Sequence, residues 1–130
     1  MSEYKVVKIS DVPDQGPNFG LEGKYELRFL RDQLGCENCG VTYSRLAPNF
    51  QLPFGHKHKR QEEIYLLVSG SAELKVGDDI VPLEPWTAVR VANDTMRSLR
   101  AGTEGAEFVV VGAPNTGPGD AEVQQGWWSD

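Results

Sequence analysis

The chain has 130 residues and carries 19 acidic against 13 basic side chains, which gives a formal net charge of −6. This length suits one domain, and the negative charge repels nucleic-acid phosphates and anionic membrane surfaces, so we expect neither as a partner. No window approaches the ~18 apolar residues of a membrane span, and the N-terminus lacks the basic start and apolar run of a secretion signal. We therefore expect a cytoplasmic protein.

The local pattern of the sequence predicts strands joined by turns. Glycine and proline occur 14 and 8 times, and both residues interrupt helices and favour turns. Apolar and polar side chains alternate at residues 25–29 and 72–76, a period of two that is typical of strands with one buried face. Further strands are predicted at residues 5–9, 41–46, 63–68, 79–83, 88–91, 98–100 and 107–111, with turns at 69–70, 77–79, 93–94 and 102–105. The spacing predicts an all-β sandwich or barrel of about eight to ten strands, with one helical turn at residues 30–34.

The two ends of the chain differ from the middle in composition. We expect residues 1–130 to form a single domain, since no linker or repeat divides them. The N-terminal segment, about residues 1–20, and the C-terminal segment, about residues 112–130, are rich in proline, glycine, asparagine and aspartate. These segments are therefore predicted to be irregular arms packed on the barrel.

The residues that can carry chemistry are concentrated in one stretch. His56 and His58 are the only two histidines in the chain. Side chains two apart on a strand share a face, so both imidazoles can point into a barrel while Lys57 points away. The polar residues 59–62 suit a hairpin connection, after which Glu63 would open a returning strand beside the histidines. Two imidazoles and one carboxylate can hold a divalent ion and leave its other positions open.

At these positions the sequence resembles the cupin superfamily. The spacing of His56, His58, Glu63 and Gly70 is that of the first cupin motif, although Phe50 stands where the motif opens with glycine. The resemblance implies a double-stranded β-helix, or jelly-roll cupin barrel. It also implies a divalent metal, of which iron, manganese, zinc and nickel are the candidates, held by His56, His58 and Glu63. Homodimers are common among proteins of this resemblance, so a homodimer is expected.

The second cupin motif is degenerate, and its metal-binding histidine is replaced by Arg97. Its glycine, proline, second glycine and asparagine correspond to Trp86, Ala92, Asp94 and Ala101. Three readings of Arg97 stay open. It could pair with Glu63 and neutralise the site without a metal, or bind an anionic substrate beside a metal held by the first motif. In the third reading the alignment slips or the side chain faces solvent, and Arg97 has no specific role.

The function predicted from these residues is binding of a small polar or anionic molecule in the barrel, with or without a divalent metal. Tyr65 shares the face of Glu63 and, with Arg97, is the predicted substrate contact. One alternative is a metal-dependent cupin enzyme of the dioxygenase or isomerase type, acting on a small organic acid or sugar. Another is a non-catalytic structural or assembly cupin with a plugged barrel. Cys36 and Cys39 form a C-x-x-C pair without a second metal-ligating pair, which favours a reduced loop pair.

Overall fold

A computed structural model describes residues 3–117 and 119–129 of the chain. The described residues form eight strands, and the all-β prediction is confirmed. The strands are β1 (Tyr25–Phe29), β2 (Gly40–Leu46), β3 (Phe54–His58), β4 (Glu62–Val76), β5 (Asp79–Leu83), β6 (Ala88–Val91), β7 (Arg97–Ala113) and β8 (Ala121–Gln125). A single helical turn, α1 (Arg31–Leu34), and two 3-10 turns, Ile9–Asp11 and Gly16–Phe19, complete the elements.

The barrel is built around β4 and β7, which are long enough to run through both of its sheets. They pair with each other antiparallel along most of their length. The first sheet has the order β1-β2-β7-β4-β6 and uses residues 62–70 of β4 and 106–113 of β7. The second has the order β8-β3-β7-β4-β5 and uses residues 72–76 of β4 and 97–101 of β7. This curled antiparallel arrangement is the predicted jelly roll.

The two long strands bend where they pass from one sheet to the other. Gly70 in β4 has a φ of 84° and Gly105 in β7 a φ of 77°, values that side chains with a Cβ rarely adopt. The pairing register shifts on both sides of Gly70. Turns ending the strands at residues 69–70 and 102–105 were predicted, and this prediction is wrong, because the bulged backbone changes direction there while the ladder continues.

The core lies between the two sheets. Its buried side chains come mainly from inward-facing positions of β1, β2 and β4 to β7, and Phe54 of β3 is partly buried and packs against them. The buried aliphatic and aromatic members include Leu27, Leu46, Leu67, Leu74, Leu83, Val91, Leu99 and Phe108. The core is continuous along one part of the barrel, and the remaining space between the sheets is a cavity described below.

The C-terminal arm is not irregular throughout, and that part of the prediction is wrong. Residues 121–125 form β8, which pairs with β3 over five residues, and β7 itself continues to Ala113. Trp128 is 2% exposed and stacks under the guanidinium of Arg100, whose Cζ is 4.3 Å from its ring centroid. The arm pairs because β3 would otherwise leave an open sheet edge, and the burial of Trp128 fixes its end.

The N-terminal arm forms no strand among the described residues, so the strand predicted at residues 5–9 is wrong. Tyr4 and Val6 are 81% and 84% exposed, so the alternating pattern has no buried face to fix it as a strand. The arm attaches to the barrel from Val12 onward, where that side chain is buried and Asp14 accepts the backbone N–H of Leu27 at 2.9 Å. Within residues 3–117 and 119–129, no helix has the length and hydropathy needed to cross a membrane.

Candidate metal and ligand site

The three residues of the first motif meet across the barrel. His56 and His58 extend from β3 in the second sheet, and Glu63 extends from the part of β4 that belongs to the first sheet. The hairpin predicted at residues 59–62 is wrong, because β3 pairs with β7 and β8 on its two edges and has no edge left for β4. The connection instead carries the chain from one sheet to the other.

The geometry of these three side chains is compact. His56 Nε2 lies 3.2 Å from Glu63 Oε1, and His58 Nε2 lies 3.4 Å from Glu63 Oε2. The two imidazoles meet edge to face, with ring centroids 5.1 Å apart. One ligand atom from each residue can be chosen so that all three lie within 4.8 Å of one another. We call His56, His58 and Glu63 the His-His-Glu cluster.

One atom of the cluster bears directly on whether the residues fit a metal. His58 Nε2 is buried and has no hydrogen-bond partner among the described residues, since its approach to Glu63 lacks hydrogen-bond geometry. Buried ring nitrogens are normally satisfied, and an unprotonated imidazole nitrogen is a common ligand of divalent ions. A cation between the two side chains would give His58 Nε2 a partner and would also neutralise the Glu63 carboxylate. The donor set therefore fits a divalent metal.

Asp120 holds His58 in position and was not found from the sequence. Its Oδ2 lies 3.0 Å from His58 Nδ1, and its two oxygens also accept the backbone N–H groups of Arg60 and Gln61. With Nδ1–H donated to this carboxylate, Nε2 is the nitrogen that faces Glu63. No local pattern marks Asp120, because it follows His58 by 62 positions and lies in the C-terminal arm.

The charges of the cluster stabilise one another. Burial opposes ionisation of Glu63, but its contacts with His56 and His58 outweigh burial and hold its pKa far below the usual value. Burial also lowers the pKa of His58, yet the Glu63 and Asp120 carboxylates outweigh it, and the net shift is upward. The site therefore keeps Glu63 as an anion and favours positive charge beside it.

Tyr65 lies next to Glu63 on the same face of β4, as predicted. Its hydroxyl donates to Glu63 Oε1 at 2.9 Å. Burial and the negative charge of Glu63 raise the pKa of Tyr65 well above its usual value, so the hydroxyl keeps its proton. Tyr65 lines the cavity but uses its hydrogen to orient Glu63. A contact between Tyr65 and a substrate stays a prediction.

Arg97 lies beside the cluster, where the motif alignment places it. It is 0% exposed and stands opposite His56 in the β3–β7 ladder, so the reading in which it slips or faces solvent is wrong. Its Nη1 is 3.8 Å from Glu63 Oε1, too long for the bidentate pair, and its Nη2 donates to the carbonyl of Ala92 at 2.9 Å. Arg97 is not among the described residues that line the cavity, so it acts on the cluster through Glu63.

The cluster opens onto a cavity of about 550 Å³ between the two sheets. The rest of the lining is largely apolar and aromatic, with Ser and Thr hydroxyls among it, and it also includes the polar side chains of Arg31, Asp32, Gln61 and Asp120. Trp86, which replaces a motif glycine, is 71% exposed and does not plug the barrel. The protein thus has an open interior space with the His-His-Glu cluster in its lining.

Cys36 and Cys39 lie in the loop between α1 and β2 as free, half-buried thiols. Burial and the neighbouring Cys39 raise the pKa of Cys36, which makes it a poorer nucleophile. Among the residues described, the metal-ligating cluster that forms does not include either cysteine. The pair therefore lies in a loop, as expected, and its reduced state stays a prediction.

Comparison with known proteins supports the fold at the level of structure. No family model matches the sequence, and no curated protein matches it significantly. A cupin protein from Bacteroides fragilis superposes with a TM-score of 0.72 and 22% identity, covering 88% of this chain and 86% of that one. A Streptomyces nucleoside dehydratase, solved with uridine, superposes with a TM-score of 0.74 and 16% identity over 96% of this chain and 93% of that one.

Oxalate decarboxylase from Bacillus subtilis gives a TM-score of 0.78 and 23% identity over 96% of this chain. The match covers 32% of the decarboxylase, so the present chain spans about a third of that protein. These likenesses, together with the two sheets and the position of the His-His-Glu cluster between them, show that the chain has the cupin fold.

Proposed function

We propose that the chain binds a small molecule in its barrel through a divalent ion held by His56, His58 and Glu63. The observation that carries the proposal is the buried His58 Nε2, which lacks a hydrogen-bond partner in the described structure and faces Glu63 at one end of the 550 Å³ cavity. A polar or anionic group of the bound molecule would lie at this end.

The protein's own groups prepare the site for a cation. Asp120 keeps His58 Nε2 turned toward Glu63, and Tyr65 donates to Glu63 Oε1, so that Oε2 remains available on the side of His58. A divalent ion held by these residues would supply a Lewis acid with open positions toward the cavity. Arg97, which stands at the position of the metal-binding histidine of the second cupin motif, places a fixed positive charge 3.8 Å from Glu63. We therefore expect weaker metal binding than four ligands would give.

A second candidate function is metal-dependent catalysis on the same small molecule. It is favoured by the three-residue donor set, because such a set leaves coordination positions open beside the cavity. A purely structural role with a plugged barrel is disfavoured by the open cavity. The homodimer and the cytoplasmic location stay predictions.

The proposal is tested by metal analysis of the protein purified without added ions, followed by titration with Mn²⁺, Fe²⁺, Zn²⁺ and Ni²⁺. We expect about one ion per chain in the wild type and loss of that ion in His58→Ala. Lys57→Ala is the matched control, because Lys57 lies between the two histidines on β3 and pairs outward with Asp94. Absence of binding at saturating concentrations of all four ions, or equal binding by wild type and His58→Ala, would contradict the proposal.

A further inference from the structure

We propose that the face formed by β1 and β2 is a subsite for the apolar body of a monocarboxylic acid whose carboxylate lies at the His-His-Glu cluster, with the Tyr25 hydroxyl donating to an oxygen on that body. This inference rests on the proposed function, because it takes the cavity to be the ligand site. It goes further in naming the class of ligand and the residues that select it.

The first observation is the composition of the β1–β2 face. Leu27 stands opposite Ser44 and Phe29 opposite Thr42 in the antiparallel ladder, and directly opposed residues project from the same side of a sheet. All four of these side chains, and Tyr25 two positions before Leu27, line the cavity. The strands therefore present an apolar and aromatic surface interrupted by a few hydroxyl groups.

The opposite wall is also apolar, and apolar side chains lie among the exposed residues of the lining. Phe54 of β3 and Leu99 of β7 line the cavity from the second sheet, and Leu52 lines it from the segment before β3. At the opening, Phe19 and Val123 are about half exposed, and the ring of Phe19 packs near that of Phe54 with centroids 6.1 Å apart. A ligand between these walls would bury carbon on both sides, which is the main source of affinity for an apolar body.

Charge limits the ligand to one anionic end. Among the cavity-lining residues that the structure describes there is no lysine, and Arg97 is not part of the lining. Arg31 does line the cavity, but its guanidinium already contacts Asp32, the side chain of Asn115 and the carbonyl of Thr116. A second carboxylate held away from the cluster would be buried without a partner, which costs several kcal/mol.

Two hydroxyl groups of the first sheet lack partners. Tyr25 and Ser44 are 9% and 2% exposed, and neither side chain forms a hydrogen bond within the described part of the chain. Burial and the charge of Glu63 raise the pKa of Tyr25, so its hydroxyl stays protonated and is a donor. Both residues line the cavity, so these hydroxyl groups, which have no hydrogen-bond partner among the described residues, are available to an acceptor on a ligand.

The experiment measures dissociation constants by isothermal titration calorimetry for two series, with and without Mn²⁺. The first series is the straight-chain monocarboxylates from propionate to octanoate, and the second is the α,ω-dicarboxylates of equal carbon number. Each added methylene in the first series should tighten binding about threefold to fourfold. Each dicarboxylate should bind at least about tenfold more weakly than its monocarboxylate counterpart.

Variants of the β1–β2 face test which side chains cause the dependence of affinity on chain length. Phe29→Ser should weaken binding of octanoate several-fold while leaving propionate unchanged, because only the longer chain reaches this side chain. Ile80→Ser on β5 is the matched control, since Ile80 is also about half exposed and does not line the cavity. Tyr25→Phe should keep the methylene increment but abolish a several-fold preference for one of the 4- to 7-oxo-octanoates over octanoate.

The outcomes separate this inference from the proposed function. If the protein does not bind Mn²⁺ but its affinity for monocarboxylates still rises with each methylene, the result would support the β1–β2 face as a subsite and refute the proposed metal site. Metal binding combined with a flat chain-length series, equal binding of dicarboxylates, or no binding of any carboxylate would overturn the subsite while leaving the metal site standing. An oxo-acid preference unchanged in Tyr25→Phe, or absent in the wild type, would overturn the role of Tyr25.

Discussion

Asp120 decides which nitrogen of His58 faces the His-His-Glu cluster. Burial opposes its ionisation, but the backbone N–H of Gln61, the His58 ring and the N–H of Arg60 outweigh burial and lower its pKa. The carboxylate therefore stays charged and keeps accepting from Nδ1. A carboxylate behind a metal-binding histidine fixes the ring and raises its basicity as a ligand.

We predict that Asp120→Asn weakens metal binding by about 10-fold to 100-fold, because an amide is a poorer acceptor for His58 Nδ1–H. Competition titration with a chromophoric chelator measures the change. Asp94→Asn is the control, since Asp94 is an exposed partner of Lys57 and has no contact with a histidine. Far-UV circular dichroism should be unchanged in both variants, and equal metal affinity in both would show that Asp120 does not position His58.

The residues of the first motif could be predicted because their relation is local. The period of two put His56 and His58 on one face, and the motif spacing selected Glu63. The structure brings these three together, although by a route across the barrel that the sequence did not indicate. Asp120 could not be predicted, because its contact with His58 depends on how the C-terminal arm closes on β3, and no local period encodes that contact.

At the scale of elements, the short strands within the barrel were predicted well, whereas the two long strands and β8 in the C-terminal arm were not. The bounds of β5 and β6 agree with their predicted ranges, because each is a short run between turn residues. In β4 and β7 the glycine-containing segments were taken for turns. Glycine permits both a turn and a bulged bend, and only pairing with the partner strand distinguishes them.

The bend of β4 supports a prediction about Gly70. A Cβ at Gly70 would lie 2.0 Å from the carbonyl oxygen of Gly105, and the φ of 84° is itself unfavourable for alanine. Gly70→Ala should therefore lower the free energy of unfolding by about 3 kcal/mol or more, since the crossing of β4 and β7 must move apart. Urea unfolding followed by tryptophan fluorescence measures the loss.

Gly77 supplies the matched control for Gly70. It lies in the turn between β4 and β5 with a φ of 56°, and an added Cβ would meet nothing within 4 Å. Gly77→Ala should lower the free energy of unfolding by only about 1 kcal/mol, the cost of a left-handed backbone conformation for alanine. Similar losses in the two variants would mean that the contact with Gly105, and hence the close crossing of the long strands, contributes little to stability.

At the scale of the whole molecule, four carboxylates join parts of the chain that are distant in sequence. Asp14 joins the N-terminal arm to β1, Glu63 and Asp120 join β4 and the C-terminal arm to β3, and Glu107 accepts hydrogen bonds from Ser69 and Tyr43. The pKa of each carboxyl is lowered in the folded protein. Burial opposes the shift of Asp14 and is outweighed by the N–H groups of Leu27 and Gly16, while the Ser69 hydroxyl is the main cause for Glu107.

These shifts fix the direction of the acid dependence. A carboxyl whose pKa is lowered by folding binds more protons in the unfolded chain, so stability is complete above the ordinary pKa of about 4 and is lost as the pH falls below it. The contribution of His58 to stability changes with pH in the opposite direction, because folding raises the pKa of His58. Its contribution is complete below about pH 6.5 and is lost as the pH rises, so it is constant in the acid range.

We therefore predict that the free energy of unfolding of the metal-free protein falls steeply between about pH 4 and pH 2. Urea unfolding at intervals from pH 5 to pH 2 measures this slope. The double variant Asp14→Asn, Glu107→Gln should be less stable at pH 5 and lose less on acidification, because two of the groups that bind protons on unfolding have been removed. Asp78→Asn, a change at an exposed turn residue, is the control and should keep the wild-type slope. The double variant could instead keep the wild-type slope of unfolding free energy against pH. These hydrogen-bonded carboxylates would then not be the origin of the loss of stability in acid. Repulsion among the basic groups of the protonated chain would be the better explanation.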